Sequence, residues 1–134
     1  MTLTRSRATR ILIADDDELV RAVLLMVARE LAEQVVMVEG GQAALEQLRT
    51  QPFDLLITDL RMPGVDGLEL TRFATRECPH TRVIVVTGFA TPESERLVRE
   101  LGAELIRKPF GAQQLRDRIQ SALEAGTGQR PGGT

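Results

Sequence analysis

The chain has 134 residues, 43% of them hydrophobic and 27% charged, which suits one domain with a real apolar core. A net charge of −2 gives no basic footprint for direct nucleic-acid binding. A single cysteine, Cys78, and a single histidine, His80, exclude a disulfide framework and a cysteine or histidine metal cluster, and no apolar run approaches the roughly 20 residues of a membrane span.

Residues 1–9 read as a lead-in made basic, together with Arg10, by Arg5 and Arg7, and they lack the apolar centre of a signal peptide. A cytoplasmic, reducing location is the expectation. The first strand is expected at Ile11–Ala14, and it runs directly into Asp15, Asp16 and Asp17. Three adjacent carboxylates repel one another, so a helix N-terminus or a cation has to offset them. Helical spacing follows at Val20, Val23, Leu24, Val27 and Leu31, then a second strand at Val35–Val38 and a helix through Ala44, Leu45 and Leu48. The third strand, Leu55–Thr58, delivers Asp59 into the turn "MPGVDG", and a helix follows through Leu68 and Phe73. The segment "ECPHTR", with Cys78 and His80, reads as a surface loop without chemistry.

Strand four is expected at Val83–Thr87. Thr91 is placed as an N-cap, with Pro92 as the first helical residue and Glu93 and Glu95 in the first turn. That helix carries Leu97, Val98 and Leu101 and stops at Gly102. A weaker strand, Leu105–Arg107, leads into Lys108-Pro109, and a last helix carries Leu115, Ile119, Ala122 and Leu123. Residues 125–134 have no apolar stripe and read as a flexible tail, leaving residues 10–124 as the domain. Short apolar runs alternating with helices predict a doubly wound α/β domain of five parallel strands, each covered on both faces.

Ligands bind such sheets beyond the carboxyl ends of the strands. Asp15, Asp16, Asp17, Asp59, Thr87 and Lys108 all leave strands at that edge. Oxygen donors alone favour a hard cation such as Mg²⁺, and an aspartate beside one is able to take a phosphoryl group, with the lysine and a hydroxyl holding its oxygens.

The segments "ILIADDDELVR", "FDLLITDLRMPGVDGLEL", "VIVVTGFAT" and "LIRKPF", in that order, resemble the receiver domain of response regulators, of the chemotaxis-regulator type. The separations agree as well: 43 residues from Asp16 to Asp59, 28 from there to Thr87 and 21 on to Lys108. The resemblance implies a flavodoxin-like sheet of order 2-1-3-4-5 flanked by five helices. It implies that Asp59 is the phosphoacceptor, that Asp15, Asp16, Asp59 and the Arg61 backbone carbonyl hold Mg²⁺, and that Thr87, Lys108 and the Leu60 and Gly88 backbone N–H groups receive the phosphate. Asp17 is expected to serve helix one instead. The implied partners are a sensor histidine kinase or phosphotransfer protein and an output protein or second copy at the helix 4, strand 5, helix 5 face (Arg96, Arg99, Glu100, Gln114, Arg118). No direct nucleic-acid or membrane contact is implied. The chain would be a phosphorylation-controlled signalling module or relay that catalyses only its own phosphorylation and dephosphorylation.

Two features depart from or refine that pattern. Leu105 stands where the family carries an aromatic switch residue partnered with Thr87, so readout is expected through the Thr87–Thr91 loop and helix four. Arg61 and Phe89 flank the route of an attacking water and are expected to slow hydrolysis. Two other readings compete: an aspartate-nucleophile phosphatase of the haloacid dehalogenase type using Asp15 and Asp17, and a binding module that works without phosphorylation.

Overall fold

All five apolar runs form strands: β1 Arg10–Ala14, β2 Gln34–Val38, β3 Leu55–Thr58, β4 Arg82–Thr87 and β5 Glu104–Arg107. The structure, a computed structural model, describes residues 8–127. The helices are α1 Glu18–Leu31, α2 Gly41–Thr50, α3 Gly67–Glu77, α4 Pro92–Glu100 and α5 Ala112–Thr127. Every strand pairing is parallel, and the sheet order is β2-β1-β3-β4-β5.

Strand side chains alternate between faces, so each continuous apolar run divides into two sets. Ile11, Ile13, Leu55, Ile57, Ile84, Val86 and Ile106 meet α1 and α5 through Leu24, Val27, Leu115 and Ile119. Leu12, Ala14, Leu56, Val83 and Val85 meet the other layer through Ala44, Leu48, Leu70, Ala74 and Val98. Continued past the strand ends, this alternation assigns Asp15, Asp59 and Lys108 to the first set and Thr87 and Arg107 to the second.

Double-sided burial holds for β1, β3 and β4 but not for β2. That strand lies at the sheet edge with Gln34 and Met37 exposed, because only β1 pairs with it. The strand β5 is the other edge and exposes Arg107. Apolar character in a four-residue run does not report whether a neighbour strand lies on each side.

The helix starts follow local chemistry. Asp17 caps α1 by accepting from the Leu19 and Val20 N–H groups at 3.0 and 3.2 Å. Asp66 and Glu69 form a reciprocal capping box on α3, and Thr91 with Ser94 does the same on α4, where Pro92 occupies the first turn. After α4, Gly102 adopts φ +83°, and its N–H and that of Ala103 donate to Arg99 and Val98.

The described elements reach the flanks of residues 10–124. Thr9 is buried and its N–H donates to Glu33 Oε1 at 2.7 Å, and Arg10 is part of β1. Helix α5 runs to Thr127, three residues into the segment read as tail, because Glu124 and Ala125 are good helix formers. Arg5, Arg7 and residues 128–134 lie outside the described residues.

One glycine fixes the approach of α3 to the site. A Cβ at Gly67 would stand 1.9 Å from the Asp59 carbonyl oxygen and 2.8 Å from Leu60 Cα, both of them backbone. At Gly88 the nearest atom would be Lys108 Cβ at 3.9 Å, an ordinary contact. Gly67→Ala is therefore expected to destabilise the fold by about 2–3 kcal/mol or more, as overpacking against backbone does, and Gly88→Ala by under about 1 kcal/mol. Urea unfolding of both variants checks this, and equal midpoints would contradict it.

Candidate functional site

The carboxyl ends of β1, β3 and β5 converge on one ammonium. Lys108 Nζ donates to Asp59 Oδ2 at 2.9 Å and to Asp15 Oδ2 at 3.1 Å. Asp15 is fully buried, Asp59 is 6% exposed, and Asp16 is exposed at the rim. The Lys108–Pro109 peptide bond is cis.

Each carboxylate is further constrained by backbone. Asp15 Oδ1 accepts from the Asp17 N–H at 2.8 Å, and Asp59 Oδ1 accepts from the Arg61 N–H at 3.3 Å. Asp59 N–H donates to the Ala14 carbonyl, which ties Asp59 to the end of β1. Arg21, one turn into α1, donates from Nη1 to the Asp15 carbonyl at 2.8 Å. Reading of the sequence missed Arg21, although its position four residues after the Asp17 cap places it over the aspartate turn.

The electrostatics follow from burial. Desolvation raises the Asp15 carboxyl above its ordinary range, against the lowering pull of the Asp17 N–H and the Lys108 charge. Burial is also the largest single influence on Lys108 and pulls it down. Its hydrogen bond to Asp59 and the charges of Asp15 and Asp59 outweigh that, and the net direction is up. The ammonium is held charged by the carboxylates it joins.

Asp15, Asp16 and Asp59 each place one oxygen within 4.8 Å of the others, and among the described residues they are the acidic group able to share a cation. The donor set is oxygen only and one member is open to solvent, which fits a hard divalent ion that keeps several waters. An open cleft lined by Asp16, Leu60, Arg61, Met62, Pro63 and Asp66 leads to that rim.

Thr87 is fully buried at the end of β4; its Oγ1 accepts from the Phe89 N–H at 3.1 Å and its carbonyl accepts from the Lys108 N–H at 2.8 Å. Arg61 lies over the Phe89 ring, 4.7 Å from the centroid, and Phe89 is 62% exposed. Leu105 is half-buried against the α2, α3 and α4 layer and pairs with Val85, two residues short of Thr87. Cys78 and His80 lie at the opposite end of the sheet. Cys78, half-buried, is the first residue after α3 and its C-cap, and burial pushes its thiol up. Asp17 is bound to the α1 backbone, so the pairing of Asp15 with Asp17 required by the phosphatase reading is not formed.

A doubly wound sheet with aspartates, a threonine and a lysine at one carboxyl edge defines a flavodoxin-like signalling domain. The chain belongs to the response regulator receiver domain family, whose profile matches residues 11–120. It is 36% identical over 120 residues to the response regulator receiver protein CpdR of Brucella abortus, covering 87% of this chain and 98% of that protein. It is 32% identical over 120 residues to the sensory/regulatory protein RpfC of Xanthomonas campestris, covering 86% of this chain but only 16% of RpfC. Among solved structures, a CheY-like receiver domain protein from Methanospirillum hungatei superimposes with a TM-score of 0.84 at 26% identity, covering 90% of this chain and 98% of that one. The chain is thus a receiver domain of two-component signalling, a signalling domain rather than an enzyme with a metabolic substrate.

Removing the ammonium leaves two largely buried carboxylates facing each other. Lys108→Met is expected to be less stable than the parent chain by about 2–4 kcal/mol at pH 7, somewhat under the usual penalty for a broken buried pair because the lysine is partly open to water. Without the lysine, the buried Asp15 carboxyl rises further above its unfolded value. The folded variant then binds more protons than the unfolded one, so the deficit shrinks as pH falls from 7 through that raised value toward about 4. Denaturation of both chains across that range checks it; a deficit independent of pH would place the loss elsewhere.

Proposed function

We propose that Asp59 accepts a phosphoryl group from a phosphohistidine of a sensor histidine kinase or phosphotransfer protein, or from a small acyl phosphate. The observation that carries this is the ammonium of Lys108 set 2.9 Å from Asp59, beside a carboxylate group able to share a cation. An Asp59 oxygen forms a bond to phosphorus as the P–N bond to the donor imidazole breaks. The bond pair leaves on the imidazole nitrogen, and a carboxylate leaves instead when the donor is an acyl phosphate.

Magnesium bound by Asp15, Asp16, Asp59 and the Arg61 carbonyl would supply positive charge to the phosphoryl oxygens during transfer. Lys108 then exchanges its bond to the Asp59 carboxylate for one to a phosphoryl oxygen. The Thr87 hydroxyl and the Leu60 and Gly88 N–H groups donate to the others. Asp15 stays buried and fixes the lysine from behind.

Readout runs through the Thr87–Thr91 loop into α4, since Leu105 offers no aromatic ring to change rotamer. The face of α4, β5 and α5 meets the output protein or a second copy. No helix among the described residues is long and apolar enough to cross a membrane.

Intact-mass measurement after incubation with acetyl phosphate is expected to show one added phosphoryl group that requires Mg²⁺ and disappears in Asp59→Asn. An adduct retained in Asp59→Asn would sink the assignment. No adduct, together with no Mg²⁺ binding at millimolar levels, would favour a binding module that works without phosphorylation.

Arg61 lies over the Phe89 ring, and in this reading the pair shields the approach to a phosphoryl group on Asp59. Phe89→Ala is expected to lose the phosphoryl group about fivefold faster, roughly 1 kcal/mol of barrier, in a chase after donor removal. An unchanged lifetime would show that the ring does not guard the site.

A further inference from the structure

Helix α4 is held very differently at its two ends. Val98 is the only fully buried side chain among its nine residues, and it lies near the C-terminus. That end is further fixed by the Gly102 and Ala103 N–H bonds to Arg99 and Val98, and by Thr75 Oγ1 donating to the Leu101 carbonyl at 3.3 Å. The first turn has no buried apolar anchor. Its tie to the sheet is the ion pair between Glu95 and Arg107, with the Glu95 side chain only 16% exposed and its other oxygen 3.9 Å from Arg99 of the same helix.

Arg107 is not an arbitrary partner. Its backbone is in register with Thr87, it directly precedes Lys108, and it lies on the α4 side of the sheet. Thr87 opens the four-residue path to Thr91, which caps α4 by accepting from the Ser94 N–H at 3.1 Å. The path from Thr87 through the loop, the cap and Glu95 therefore closes on Arg107, beside its own starting point.

We propose that the Glu95–Arg107 pair is a latch that holds the first turn of α4 against β5 in the conformer where the Thr87 hydroxyl is turned to Phe89. The proposal rests on the reading of Asp59 as phosphoacceptor. When Thr87 turns to a phosphoryl oxygen, residues 88–90 and the Thr91 cap follow it. Arg107 stays paired to β4, so Glu95 is drawn away from it and α4 swings about its fixed C-terminus. Whatever the pair contributes to the latched conformer opposes phosphorylation by the same free energy, because coupling between two sites is reciprocal. Chemistry at Asp59 thereby reaches the α4 face without an aromatic residue at position 105.

Glu95→Gln, Arg107→Gln and the double variant test the latch, with acetyl phosphate and Mg²⁺ as the probe. Two readouts are followed: the phosphorylation rate by intact mass, and hydrogen exchange of the α4 first turn with α3 as internal control. Each single variant is expected to phosphorylate about two- to fivefold faster, the range set by a partly exposed ion pair, with α4 exchange faster by a similar factor and α3 unchanged. The double variant is expected to match the singles, since either substitution alone removes the pair. Unchanged rates in the variants, or additive effects in the double, would overturn the latch alone. A parent chain that takes no phosphoryl group from this donor and binds no Mg²⁺ would overturn the Asp59 reading, and the latch with it.

Discussion

The site depends on one ammonium held between two carboxylates that the sheet forces together. Asp15 and Asp59 end adjacent parallel strands, and the Asp59 N–H bond to Ala14 fixes how close they come. Neither can move apart without breaking the β1–β3 ladder. Lys108 arrives from β5, two strands away from β3, and satisfies both with one side chain. Proximity of like charges at a buried edge is unfavourable for the fold and favourable for binding cations, and the lysine ammonium makes it tolerable.

The alternation of side chains along the strands separates two tasks at that edge. The set that begins with Ile11, Leu55 and Ile106 ends in Asp15, Asp59 and Lys108, the residues that handle charge. The set that begins with Val83 ends in Thr87, whose strand partner Arg107 faces α4. Thr87 therefore belongs to the α4 layer while standing at the same carboxyl edge as the charged residues. Under the proposed phosphorylation of Asp59, a change in what the hydroxyl binds would become a displacement of that layer.

The strand ends were legible in the sequence because each apolar run stops abruptly at a polar residue, and the parallel topology puts all those stops at one edge. The Asp17 cap, the Thr91 cap and Pro92 were legible because capping is local chemistry within four residues. The edge position of β2 was not, since Val35–Val38 is as apolar as the central strands and the difference lies in what pairs beside it. Arg21 and the Glu95–Arg107 pair were not legible either. Each is an arginine in a chain with many exposed arginines, and only the packing of α1 over the aspartate turn, or of α4 along β5, gives it a partner. Leu105 was visible as a departure, whereas its packing against the α2, α3 and α4 layer lay in the tertiary arrangement.

The three adjacent aspartates resolve into three different physical situations. Asp17 is stabilised by the first turn of α1 and is independent of any ligand. Asp15 is fully buried, raised by desolvation, and has both carboxylate oxygens and its carbonyl bonded to Asp17, Lys108 and Arg21. Asp16 is exposed, and the peptides on either side of it are hydrogen-bonded. A cation held there as proposed would meet one exposed carboxylate first and two hydrogen-bonded ones behind it. Such binding would depend on the turn between Asp15 and Asp17, whose backbone is held by Arg21 at the Asp15 carbonyl and by the Val38 carbonyl at the Asp15 N–H.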